Sequence, residues 1–157
     1  MRGRARKSDF DWKAEIVKLV LVKQALAEAD RHKLWPWHLP SVAASDEQIE
    51  ACERKLGFPL DPIYAQFLRH ANGWRGFYQA VDLFGTEELC GNERLQRARE
   101  VLGYLEASVL QQSRVARDEL LPIAVSRFDL DLSSYPQAPV VHAIKREGAV
   151  LTVIKKP

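Results

Sequence analysis

The chain has 157 residues, 46% of them hydrophobic and 28% charged, enough to bury the core of one soluble domain without a metal or a disulfide to staple it. Its two cysteines, Cys52 and Cys90, are too few for a disulfide scaffold and too isolated for a zinc knuckle, so both are expected as reduced thiols. The net charge of +2 conceals an asymmetry: without Arg2, Arg4, Arg6, Lys7, Lys155 and Lys156, residues 8–154 carry 17 basic against 21 acidic side chains, a net −4.

Residues 1–8 read as a disordered basic tail and residues 9–157 as a single domain. The tail lacks the apolar run and cleavage site of a secretory signal. The most apolar stretch, Ile16 to Val22, is broken by Lys18 and far too short to span a bilayer. A cytoplasmic protein without membrane contact is expected. The N-terminal arginines could touch nucleic acid, but a solvated end is favoured over that role.

From Phe10 to about His32 the spacing predicts a helix, with Asp9 or Asp11 as its cap. Ile16, Leu19, Val20, Leu26 and Ala27 form one apolar stripe. Val17, Leu21 and Ala25 lie on another side, so the helix is apolar on two faces, and its β-branched residues leave a strand open as the alternative. Leu34 to Ala44, with two prolines and no period, reads as an ordered, aromatic-anchored connection. Ser45 and Gln48 then have capping-box spacing, followed by Ile49, Cys52 and Leu56 on one helical face and by Gly57 as the left-handed stop. A short helix is predicted from Asp61, with Pro62 in its first turn, through Tyr64, Phe67 and Leu68 to Asn72-Gly73.

Gln79 to Phe84 reads as a strand. Asn92 can cap one longer helix carrying Leu95, Ala98, Leu102, Leu105 and Val109. Leu120–Arg127, Val140–Lys145 and Ala149–Ile154 are short, β-branched and separated by turn residues, with Glu147-Gly148 as a tight hairpin. The order predicts an α+β fold, N-terminal helices packed on a small, mainly antiparallel sheet formed largely by the C-terminal third.

Within residues 45–89, Ile49, Glu53, Leu56-Gly57, Leu60-Asp61, Tyr64, Phe67-Leu68 and Asn72-Gly73-Trp74 follow one another in an order that resembles the signature region of the SUKH superfamily (Smi/Knr-type). Val81-Asp82-Leu83-Phe84, Glu87-Glu88-Leu89, Leu121-Pro122-Ile123-Ala124 and Pro139-Val140-Val141 extend the likeness toward the C-terminus. The sequence departs from the family pattern at Asp61-Pro62, where proline usually follows the leucine directly, and shows no helix after the last strand. The resemblance implies a SUKH-like domain and a non-catalytic bacterial immunity protein that neutralises a cognate toxin, nucleases being common among such toxins. The alternative it implies is a regulatory scaffold or adaptor for a cellular protein.

The residues themselves offer little for catalysis. His32, His38, His70 and His142 lack metal-ligand spacing, and no HExxH, CxxC, phosphate loop or G-x-S-x-G elbow occurs. Asp129 and Asp131 would share a strand face, yet nothing nearby completes a hard-cation site. No cofactor, no metal and no enzymatic activity are therefore expected, and the chain is expected as a monomer or weak homodimer. Leu56, Phe67 and Leu68 are predicted core, and Glu53 a structural hydrogen-bond partner. Trp74 is a core plug or an exposed anchor. The candidate partner-binding residues are Trp74, Glu87, Glu88, Asp129 and Asp131, whose acids suit a basic toxin.

Overall fold

The structure is a computed structural model that describes residues 10–35, 37–78, 80–112, 114–126, 140–145 and 151–155. The basic tail, the Asp129/Asp131 pair and the Glu147-Gly148 turn lie outside the described residues. The elements are α1 (Trp12–Ala29), α2 (Asp46–Leu56), α3 (Pro62–Leu68), β1 (Trp74–Tyr78), β2 (Val81–Leu83), α4 (Thr86–Leu89), α5 (Glu93–Gly103), α6 (Ala107–Gln112), a 3-10 turn (Arg117–Glu119), β3 (Leu120–Ser126), β4 (Val140–Lys145) and β5 (Leu151–Lys155). The strands form one sheet in the order β1-β2-β3-β4-β5, each neighbouring pair antiparallel. The fold is α+β, with three of the five strands in the C-terminal part.

Local chemistry sets most helix ends. Asp11 caps α1 by accepting the Ala14 N–H at 3.0 Å, and α1 is a helix rather than the alternative strand. The Gln48 N–H donates to Ser45 Oγ (3.2 Å), and the Ser45 N–H donates to Gln48 Oε1 (2.9 Å), closing the predicted capping box. Gly57 ends α2 at φ 80°, the left-handed conformation that favours glycine. Asp61 caps α3 from the residue before Pro62, and Asn92 caps α5. Glu53 Oε1 accepts the Leu60 N–H at 2.8 Å, which joins the end of α2 to the entry of α3 and gives Glu53 its expected structural role.

Two elements differ from the sequence expectation. The strand predicted over Gln79–Phe84 is only the second arm of a hairpin whose first arm, β1, starts directly after Asn72-Gly73. Gly76, at φ 57°, interrupts the alternation of β1 where the pairing register shifts, so no period of two announces this strand. The single long helix after Asn92 is two helices. Tyr104 and Leu105 N–H groups bond carbonyls three residues back (Val101 and Leu102), tightening the chain past Gly103, and Val109 beyond the break is 45% exposed.

The core lies between the sheet and helices α2 to α5. Phe67, Leu68, Trp74, Phe84, Leu89, Leu95 and Ala98 are buried, as is every position of β3 from Leu121 to Ser126. Leu56, expected in the core, is only partly buried against its margin. Asp82 is 1% exposed. Its Oδ1 accepts the Gly76 N–H at 2.6 Å and its Oδ2 lies 3.0 Å from Arg94 Nη2, tying the β1–β2 hairpin to α5. Tyr64 is also buried, and its hydroxyl donates to the Phe84 carbonyl at 2.5 Å.

Candidate protein-binding surface

The N-terminal helix lies at the edge of this core, with Trp12 and Ile16 packed against it. None of its 18 residues is buried. It rests on the body along a partly buried stripe that includes Trp12, Ile16, Val20 and Lys23. Near its start, Trp12 meets Phe67 edge-on with ring centroids 5.5 Å apart. Further along, Lys23 Nζ donates to the Gly76 and Phe77 carbonyls of the edge strand β1 (2.5 and 3.3 Å), covering part of an otherwise open sheet edge. Val17, Leu21, Val22 and Leu26 remain 52–64% exposed.

Hollows remain beside α1. One of about 480 Å³ lies between Trp12, Ile16 and Leu19 of α1 and a wall of Ile63, Tyr64, Phe67, Phe77, Tyr78, Val81, Leu83 and Ile123. A second, of about 300 Å³, is lined by Lys23, Leu26, Ala27, Asp30, Trp35, Trp37, Phe77 and Tyr78. Phe77 and Tyr78 border both, so the two form one groove along the helix. Trp35 is 44%, Trp37 41% and Tyr78 62% exposed at its rim. Aromatic side chains half in water beside an apolar hollow are the residue types that dominate protein interfaces.

The connection after α1 is ordered, as expected, but its anchor is reversed. Its own tryptophans face outward, and it is held by the body: Trp74 Nε1 donates to the His38 carbonyl (2.9 Å), the Ser41 N–H to the Gly73 carbonyl (3.0 Å) and the Ala44 N–H to the Leu68 carbonyl (2.8 Å). Asp30 Oδ2 accepts the Trp35 N–H at 2.8 Å, and this backbone hydrogen bond holds the Asp30 carboxyl below its usual range. Trp74 itself is 1% exposed. It is the core plug of the two alternatives, out of reach of a partner docking on the surface.

The connection leads to a polar hollow of about 410 Å³ lined by Ser41, Val42, Ala43, Gln48, Asn72, Glu87 and Glu88. Two of the predicted partner-binding acids therefore lie together beside the Asn72-Gly73 turn. Asn72 builds this corner, accepting the Thr86 N–H (2.7 Å) and donating to Thr86 Oγ1 (3.0 Å). A Cβ on Gly73 would stand 2.7 Å from the Gly85 nitrogen, so the two backbones approach closely only because the residue is glycine. Glu87 is exposed, whereas Glu88 is partly buried and spends one oxygen accepting the Gly85 N–H at 2.9 Å.

The histidines are dispersed: His70 Nδ1 contacts its own helix at the Gln66 carbonyl (2.8 Å), and His38 serves through its carbonyl. Among the described residues, no group of three or more His, Cys, Asp or Glu side chains is placed to hold a metal ion. No helix among them is long and apolar enough to cross a membrane. The groove was not visible as a site in the sequence, because its rim draws on three segments and one of them, β1, carried no strand signal. The only hint was the two-faced apolar pattern of α1.

The described residues form a small α+β domain with apolar, aromatic-rimmed hollows at its surface. Residues 43–137 match the SMI1 / KNR4 family (SUKH-1), which is more than half of the chain, and the chain belongs to that family. The match begins after α1 and most of the connection, so those segments stand before the family-matched region. No curated protein matches the chain.

Proposed function

We propose that this protein is a non-catalytic immunity protein that binds a cognate toxin and neutralises it by protein–protein contact. Family membership is consistent with an immunity-type protein. The observation that carries the reading is the groove along α1: a helix with none of its 18 residues buried, flanked by Trp35, Trp37 and Tyr78 at the surface. An apolar face of this size left to water is a standing cost in solubility, which contact with a partner would offset.

The toxin in this reading is basic, of nuclease type, and meets an apolar centre and an acidic margin. Glu87 and Glu88, at the polar hollow that the connection leads to, would attract Arg or Lys side chains, with Glu87 the freer of the two. Asp129 and Asp131 belong to the same proposal as further candidate partner-binding acids. The test is growth rescue: the chain is co-expressed with candidate basic nuclease toxin domains. Rescue that requires the folded chain, with a complex recovered from the cells, supports the reading. A chain that leaves the toxin fully lethal but copurifies with a cellular protein would overturn it in favour of a regulatory adaptor.

A further inference from the structure

The two cysteines lie 38 positions apart in sequence and meet in the fold. Cys52 sits on the inner face of α2 and is 0% exposed, while Cys90 is the partly exposed residue that ends α4, packed against the core cluster that contains Cys52. Helices α2 and α4 are in direct contact, which brings the Cys90 thiol beside the Cys52 thiol. Both are free thiols. Nothing in the core requires this pairing, since a buried cysteine packs as a small hydrophobe with any apolar neighbour.

We propose that Cys52 and Cys90 form a redox-modification site, in which a peroxide closes a disulfide that bolts α2 to α4. The route follows from exposure. Hydrogen peroxide reaches the Cys90 sulfur, which is oxidised to a sulfenic acid while the peroxide leaves one water. The Cys52 sulfur then attacks the Cys90 sulfur. The S–S bond forms, the sulfenic S–O bond breaks, and the hydroxyl departs as a second water with the Cys52 proton. Two thiols have lost two electrons and two protons, and the peroxide has taken them up.

Burial, aided by the Cys90 thiol, pushes the Cys52 thiol up to about 12, so the second step runs through a scarce thiolate and accelerates as the pH rises. Cys52 follows Gln48 by one turn of α2, and Cys90 directly follows α4 with its Glu87 and Glu88, so the bond would fix the two walls of the polar hollow whatever that hollow binds.

The experiment is peptide mapping of the reduced, folded protein after hydrogen peroxide, with free thiols blocked before digestion. Trypsin places Cys52 in residues 34–54 and Cys90 in residues 76–94, so the disulfide appears as these two peptides linked until reductant is added. The expected result is the linked pair, an intact mass lower by two hydrogens, and a higher melting temperature that reductant reverses. Cys90→Ser should leave Cys52 reduced at the same peroxide dose. The proposal is overturned if Cys90 in the folded wild type accumulates as sulfinic acid beside a free Cys52 thiol, or if both thiols stay free under excess peroxide.

Discussion

Helix α3 buries four of its seven residues, whereas α1, more than twice as long and richer in aliphatic side chains, buries none of its 18. The contrast separates two uses of apolar surface. In α3, Tyr64, Ala65, Phe67 and Leu68 fall on the side that enters the hydrophobic core, and the helix exists because the fold needs that face. In α1 the apolar residues run around the cylinder, and only a partly buried stripe of Trp12, Ile16, Val20 and Lys23 attaches the helix, leaving the rest of its apolar side chains to water. Hydrophobic residues are thus a poor guide to the core here, and their arrangement relative to the helix period is a better one.

The comparison sharpens first on the α3 side. Phe67→Ala should cost about 3–5 kcal/mol in denaturant unfolding, because it opens a cavity under both Tyr64 and Trp12. A smaller loss, about 2–3 kcal/mol, is expected from Asp82→Ala, since the buried carboxylate is removed but Arg94 can turn toward water. Gly57→Ala should cost about 1–2 kcal/mol from the left-handed backbone alone, because space for the new Cβ is open. On the α1 side, Leu26→Gln with Tyr78→Thr should shift stability by no more than about 0.5–1 kcal/mol, since both side chains already face water.

Ionisation gives a further handle on the buried side. Burial raises the Cys52 thiol from 9.0 to about 12 and raises the Tyr64 hydroxyl well above 10.0. In both groups the neutral form belongs to the folded state. Their contribution is therefore fully present below the unfolded values and is lost as the pH climbs above them, when the unfolded chain ionises and the folded one does not. Under reducing conditions, stability should fall from about pH 9 upward, each group adding a slope of up to about 1.4 kcal/mol per pH unit. In Cys52→Ala the onset should move toward pH 10, where Tyr64 alone remains. Equal pH curves for the variant and the wild type would contradict this assignment.

What was legible in the sequence was what local chemistry decides. The Ser45/Gln48 box, the Gly57 stop, the Asp61-Pro62 entry and the Asn92 cap each rest on bonds within a few residues, and each stands where the pattern placed it. The C-terminal strands were legible from their β-branched runs between turn residues. What failed needed partners distant in sequence. β1 is a strand because Val81–Leu83 and the Asp82 carboxylate hold it, not because Trp74–Tyr78 alternates. Asp82 itself passed as an ordinary strand residue, and its Arg94 partner lies on another element. The acids Glu87 and Glu88 were visible as acids, but Glu88's duty to the Gly85 N–H was not. Trp35, Trp37 and Tyr78 could not be read as one rim, since nothing in the sequence places residue 78 beside residue 35.

The central claim is that α1 and its neighbours are kept apolar for a partner. Growth rescue against a toxin domain that the wild-type chain neutralises, run with the wild type and with Leu26→Gln/Tyr78→Thr, tests it most directly when paired with melting curves of both proteins. The expected result is a variant that melts with the wild type and fails to protect. A variant that melts with the wild type and protects equally well would contradict it.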